Sequence, residues 1–149
     1  MERQIIAVNG TDPNNVIQLS EELDKILSSE LLMDLKKNTR FVETIIQVEV
    51  ENKNPLKEIH KTFKNIKYLK KLEEFLGKDL RVISCRIGLK DRIPLEDVWL
   101  DINIQPKWSL PDRIYLITII YRDKEDRNVK EFVKNTNKFT KVLLENLGK

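Results

Sequence analysis

Residues Arg113–Arg122 hold the run Ile-Tyr-Leu-Ile-Thr-Ile-Ile-Tyr. It is apolar on both faces of a strand, and such a strand belongs in the middle of a sheet rather than at its rim. Ile114–Tyr121 is the longest apolar run, and it contains Thr118. It falls well short of the ~18–20 residues that cross a membrane. A chain built around it must supply neighbouring strands and something to cover them.

The neighbours are legible by alternation. In Val98–Gln105, Val98, Leu100, Ile102 and Ile104 point one way, and Trp99, Asp101, Asn103 and Gln105 point the other. In Arg40–Val50, Val42, Thr44, Ile46, Val48 and Val50 share a face. Glu43, Gln47 and Glu49 lie opposite, beside Phe41 and Ile45. Leu80–Gly88 and the short apolar Gln4–Val8 read as two further strands.

The covering layer is helical. Asp12-Pro13 and Asn54-Pro55 each place a capping side chain before a proline that suits a first turn. After the first, Val16, Leu19, Leu23, Ile26, Leu27, Leu31 and Leu35 recur at helical spacing to about Lys37, with Ser28-Ser29 as a possible break. After the second, Leu56, Ile59, Phe63, Ile66, Leu69, Leu72 and Leu76 predict one long helix stopped by Gly77. Val129, Phe132, Val133, Thr136, Phe139, Leu143 and Leu147 predict a final helix.

The expected fold is α+β in one domain spanning 1–149, in the order β-α-β-α-β-β-β-α. One mixed sheet of about five strands carries three helices, mainly on one face. The first two strands, separated by a helix, could pair in parallel through a right-handed crossover, and the last three read as an antiparallel meander. At 149 residues and 40% hydrophobic composition, the chain can bury a core without disulfides or metal.

Composition removes much chemistry. One His and one Cys cannot build the usual zinc site of about four ligands. No motif supports His60 in a serine triad. The four glycines, Gly10, Gly77, Gly88 and Gly148, write no phosphate-cradling loop. Cys85 shares a strand face with Ile83 and Ile87 and reads as a buried structural thiol. With no signal-peptide pattern at Met1–Gly10 and a single Cys, the expected compartment is the cytoplasm. No cofactor and no membrane partner are expected, and the balance leans away from catalysis.

Three surfaces remain as candidates. The polar sheet face gathers Glu43, Glu49, Trp99, Asp101 and Asn103, with Gln47, Gln105 and either Arg81 or Arg86. Trp108 sits in the following loop. A Trp among polar neighbours suits a protein partner or a homo-oligomer, although a plain solvated face is the simpler reading. The second surface is basic. Residues 1–52 carry five Lys and Arg against ten Asp and Glu, a balance of −5, and residues 53–149 carry 22 against 14, a balance of +8. Lys57, Lys61 and Lys64 on one helix, and Lys130, Lys134, Lys138 and Lys141 on another, form stripes that could neutralise nucleic-acid phosphates. Ordinary amphipathic helices also look like this. The third would use Glu43, Glu49 and Asp101 to hold Mg²⁺ for a nuclease or hydrolase, though clustered acids usually face water. No motif assigns a reaction. The leading expectation is a non-enzymatic interaction or self-association module.

Overall fold

The computed structural model describes residues 5–32, 34, 37, 39–66, 68–94 and 96–145. In chain order the elements are α1 (Pro13–Ser29), β1 (Val42–Glu51), α2 (Pro55–Phe63), α3 (Leu69–Leu76), β2 (Cys85–Gly88), β3 (Trp99–Pro106), β4 (Ile114–Asp123), α4 (Asp126–Lys134) and α5 (Thr136–Glu145). The four strands form one sheet in the order β1-β4-β3-β2, and every neighbouring pair is antiparallel.

The class is α+β as expected, and the apolar run is indeed central, with β1 on one side and β3 on the other. The meander β2-β3-β4 also forms. Three expectations are corrected. Ile5–Val8 form no strand, and Ile5 and Ile6 are exposed, while Gln4 lies outside the described residues. The sheet is therefore antiparallel with four strands, not mixed with five. An apolar stretch this short carries no periodicity that separates a strand from an irregular segment.

The helix count also changes, from three to five among the described residues. The long second helix breaks after Phe63, where turn bonds from Ile66 to Phe63 and from Leu69 to Ile66 interrupt the helical ladder. The final helix breaks at Asn135, whose side-chain amide donates back to the Glu131 carbonyl at 2.9 Å. Such local bonds offer the backbone an alternative to the helix. Hydrophobic spacing runs through both breaks and conceals them. The first helix ends at Ser29, close to the suspected break. There the Ser28 and Ser29 hydroxyls donate to the Asp24 and Lys25 carbonyls. Leu31 and Leu32 lie beyond it, and Leu35 is outside the described residues.

The caps fall where the sequence puts them. Asp12 accepts from the Asn14 N–H at 2.8 Å, and Asn54 accepts from the Lys57 N–H at 3.2 Å. Gly77 stops α3 at φ +62°, the left-handed conformation that glycine adopts without a Cβ penalty.

The core lies on one face. Ile102 and Ile104 of β3 and Tyr115, Ile117 and Ile119 of β4 meet Ile59 of α2. Phe63, Phe132, Phe139, Leu143 and Leu144 from α2, α4 and α5 pack around them. The Tyr121 and Phe132 rings stack at 4.5 Å, and Phe132 meets Phe139 edge-on at 5.4 Å. α1 rests on α4, and Lys130 of α4 bridges Asp126 at 2.6 Å and Asp24 of α1 at 3.4 Å.

The turn from β4 into α4 is fastened by Asp123. Its carboxylate accepts from the Glu125 N–H at 2.9 Å, the Asn128 side chain at 3.2 Å and the Tyr121 hydroxyl at 3.0 Å. Burial pushes this carboxyl up, but these donors outweigh it and hold it below its ordinary value of 3.8. Burial, then the bond to Asp123, pushes the Tyr121 phenol up to about 12. A depressed carboxyl contributes stability above its unfolded pKa and loses it as pH falls through the folded one. Asp123→Asn is therefore expected to cost about 1 kcal/mol at pH 7 and to flatten the acid limb below pH ~4. Urea unfolding at several pH values checks both.

Candidate interaction surface

Among the described residues, the helices that touch the sheet leave its other face open. The pairing registers lay that face out in rows. Glu43, Arg122 and Trp99 form one row; Ile45, Ile120, Asp101 and Gly88 form the next. Then come Gln47, Thr118, Asn103 and Arg86, and after them Glu49, Leu116 and Gln105. Two-residue periodicity puts them all on one side. The expected polar face thus assembles, and Arg86 rather than Arg81 joins it.

Ion pairs hold its polar side chains flat. Arg86 donates from Nε to Asp101 Oδ1 at 2.9 Å and reaches Oδ2 through Nη2. The Asp101 side chain is only 7% exposed, so the guanidinium above it supplies the counter-charge a buried carboxylate needs. Arg122 donates to Glu43 Oε2 at 2.8 and 2.6 Å and to the Pro94 and Glu96 carbonyls at 2.8 and 3.0 Å. Its guanidinium also lies 4.2 Å from the centre of the Phe41 ring. It pins the loop after β2 to one end of the face. Lys107 bridges Glu49 at 2.6 Å near the other end.

Between these pairs lies an apolar strip that the sequence reading passed over. Ile45 is 62% exposed with the half-buried Ile120 beside it, and the half-buried Leu116 lies two rows further along β4, beyond Thr118. Trp99 lies over Gly88, where an added Cβ would stand 3.2 Å from the indole Cη2. The glycine makes room for the ring to lie against the sheet. Trp108 does not join this surface. It is exposed in the loop beyond β3, roughly 25 Å along the strand from Trp99.

The carboxylates do not converge. Glu43 and Glu49 stand six residues apart on one strand, about 20 Å, and Asp101 is separated from them by β4. Each is held by a different cation. Among the described residues no three His, Cys, Asp or Glu side chains gather to hold a metal ion.

The lysine stripes divide. Lys57, Lys61 and Lys64 are exposed on and just after α2, and Lys134 and Lys138 are exposed on α4 and α5. Lys141 approaches Glu145 at 3.9 Å. Lys130 is 18% exposed and committed to its two aspartates. Burial lowers its pKa, but the aspartates outweigh it and raise the ammonium above its usual value. His60 serves the core edge, where Nδ1 accepts from the Val82 N–H at 3.3 Å. Cys85 is half-buried rather than buried as expected, and burial pushes its thiol up.

One apolar surface was missed altogether. α3 buries no residue, and Leu72, Phe75 and Leu76 are exposed, Phe75 at 85%. Helical spacing assigned Leu69, Leu72 and Leu76 to the core, but the break after Phe63 takes them off it. Among the described residues no helix is long and apolar enough to cross a membrane. Compared with protein-family models, curated proteins and solved structures, the chain matches none.

Proposed function

We propose that this chain is a non-enzymatic self-association module whose partner is a second copy of itself. One observation carries the reading. The helices in contact with the sheet all pack on one face, so among the described residues the other face and the ten-residue β1 edge, which meet at the 62% exposed Ile45, have cover only at the Arg122 end. Uncovered sheet surface that carries apolar residues favours association. A homodimer needs only a self-complementary surface. The ion pairs support this use, because they neutralise the charges a partner would otherwise have to desolvate alone.

Nucleic-acid binding through the helices draws less support, since Lys130 already bridges two aspartates. A carboxylate-metal hydrolase draws least, because its three acids stand apart.

Self-association stabilises the folded state by mass action, so the thermal midpoint depends on concentration. The midpoint is expected to rise by several degrees between ~5 and ~500 µM protein. A midpoint constant across that range contradicts the proposal.

A further inference from the structure

We infer that the second copy adds to the sheet at the β1 edge, antiparallel and centred on Ile45, to make one continuous eight-stranded sheet. This rests on the self-association reading and names the surface it uses.

The two edges of the sheet differ. β2 is four residues long, too short to template another strand. β1 is ten residues, Val-Glu-Thr-Ile-Ile-Gln-Val-Glu-Val-Glu, and all ten pair with β4 in unbroken register. Sheet edges are normally blunted by lysine, proline, a bulge or an inward charge. β1 has no lysine, proline or bulge, and its three glutamates, Glu43, Glu49 and Glu51, lie on the open face with none turned inward, so they restrict the register rather than close the edge.

Backbone parity identifies the groups on offer. The Asn52 N–H donates to the Arg113 carbonyl at 2.7 Å, continuing the β1–β4 register. Alternation then turns the N–H and C=O of Thr44, Ile46, Val48 and Val50 toward β4. Those of Glu43, Ile45, Gln47, Glu49 and Glu51 point out of the sheet edge.

Charge selects the register. A two-fold axis perpendicular to the sheet pairs residues whose numbers have a constant sum. Centred on Ile46, it sets Glu43 against the second copy's Glu49; centred on Gln47, it sets Glu43 against the second copy's Glu51. Like charges directly opposite are destabilising. Centred on Ile45, Glu43 meets the second copy's Gln47, and the exposed Ile45 meets its own copy. On the helix side Val42 meets Val48, and Thr44 meets Ile46. A groove of about 420 Å³ runs between Val48 and α5, lined by Thr140 and Leu144, and it receives the second copy's Val42. Centring on Val48 also separates the glutamates. However, it sets Ile45 against Glu51 and brings both α5 helices onto the axis.

Amide hydrogen exchange on the full chain, resolved by residue, tests this. The Glu43, Ile45 and Gln47 amides are expected to slow at least about tenfold between ~10 µM and ~1 mM protein. Those of Thr44, Ile46 and Val48 are protected at both concentrations. Ile45→Asp puts a carboxylate against its own copy at a site exposed in the single chain. It is expected to weaken association at least tenfold, whereas Ile120→Asp on the open face leaves it unchanged. If mass doubles with no change at the edge amides, or if Ile120→Asp breaks the dimer and Ile45→Asp does not, the edge assignment is overturned and self-association stands. A chain monomeric throughout overturns both.

Discussion

Ile117→Ala is expected to destabilise the fold by about 4 kcal/mol, while Ile120→Ala, three residues along the same strand, costs about 1 kcal/mol or less. Ile117 is fully buried, between Val48 of β1 and Ile104 of β3 and beneath the helices. Removing its side chain leaves a cavity that a central strand cannot close. Ile120 faces the other way, beside Ile45 and Asp101, where no element of the described chain packs on it. A loss of that size is a large part of a stability that is typically ~5–15 kcal/mol. It should lower the thermal midpoint by roughly 10–15 °C. Urea unfolding of dilute protein measures both variants. Equal costs would mean that both faces of the sheet are covered.

The second large effect concerns Glu58. The Tyr115 side chain is fully buried, and its hydroxyl donates to Glu58 Oε2 at 2.8 Å. The Asn52 side-chain amide donates to the same oxygen at 2.9 Å. This acceptor ties the start of α2 to β4 and to the end of β1. Burial, then the bond to Glu58, pushes the Tyr115 phenol well above its ordinary range, so it remains a donor. Glu58→Ala leaves a buried hydroxyl without an acceptor and is expected to cost about 2–3 kcal/mol. Glu58→Gln keeps an acceptor and should cost under about 1 kcal/mol. Tyr115→Phe completes a double-mutant cycle. A coupling energy near zero would show that the bond contributes nothing to stability.

These two sites show what alternation and spacing can and cannot report. Val98–Gln105 reads correctly to within a residue because its two-residue period is clean, and the outward set Trp99, Asp101 and Asn103 follows from it. Glu43 and Glu49 also reach the predicted face. Their partners do not follow. Arg122 and Lys107 become visible as the other halves of ion pairs only when β4 is known to sit between β1 and β3. Sequence separations of 58 and 79 residues carry no local signal.

Helical periodicity failed differently. Leu69, Leu72 and Leu76 continue the stripe begun by Ile59 and Phe63, so spacing alone extends the helix and the core together. The turn at Lys64 and Asn65 ends that continuity and leaves α3 with nothing buried. The open strip was hidden for a related reason. A strand that is apolar on both faces is expected to be covered on both. Among the described residues only one face of β4 is covered by helices, and Ile114, Leu116 and Ile120 lie on the other. The departure from that rule leaves apolar residues on a face that no described element covers.

Sedimentation equilibrium of the full chain across a concentration series tests the self-association proposal most directly. The expected result is a mass of 17.6 kDa at low micromolar protein, rising toward twice that value as concentration increases. The contradicting result is a mass of 17.6 kDa at every concentration up to about 500 µM, a level at which even a weak specific dimer is populated.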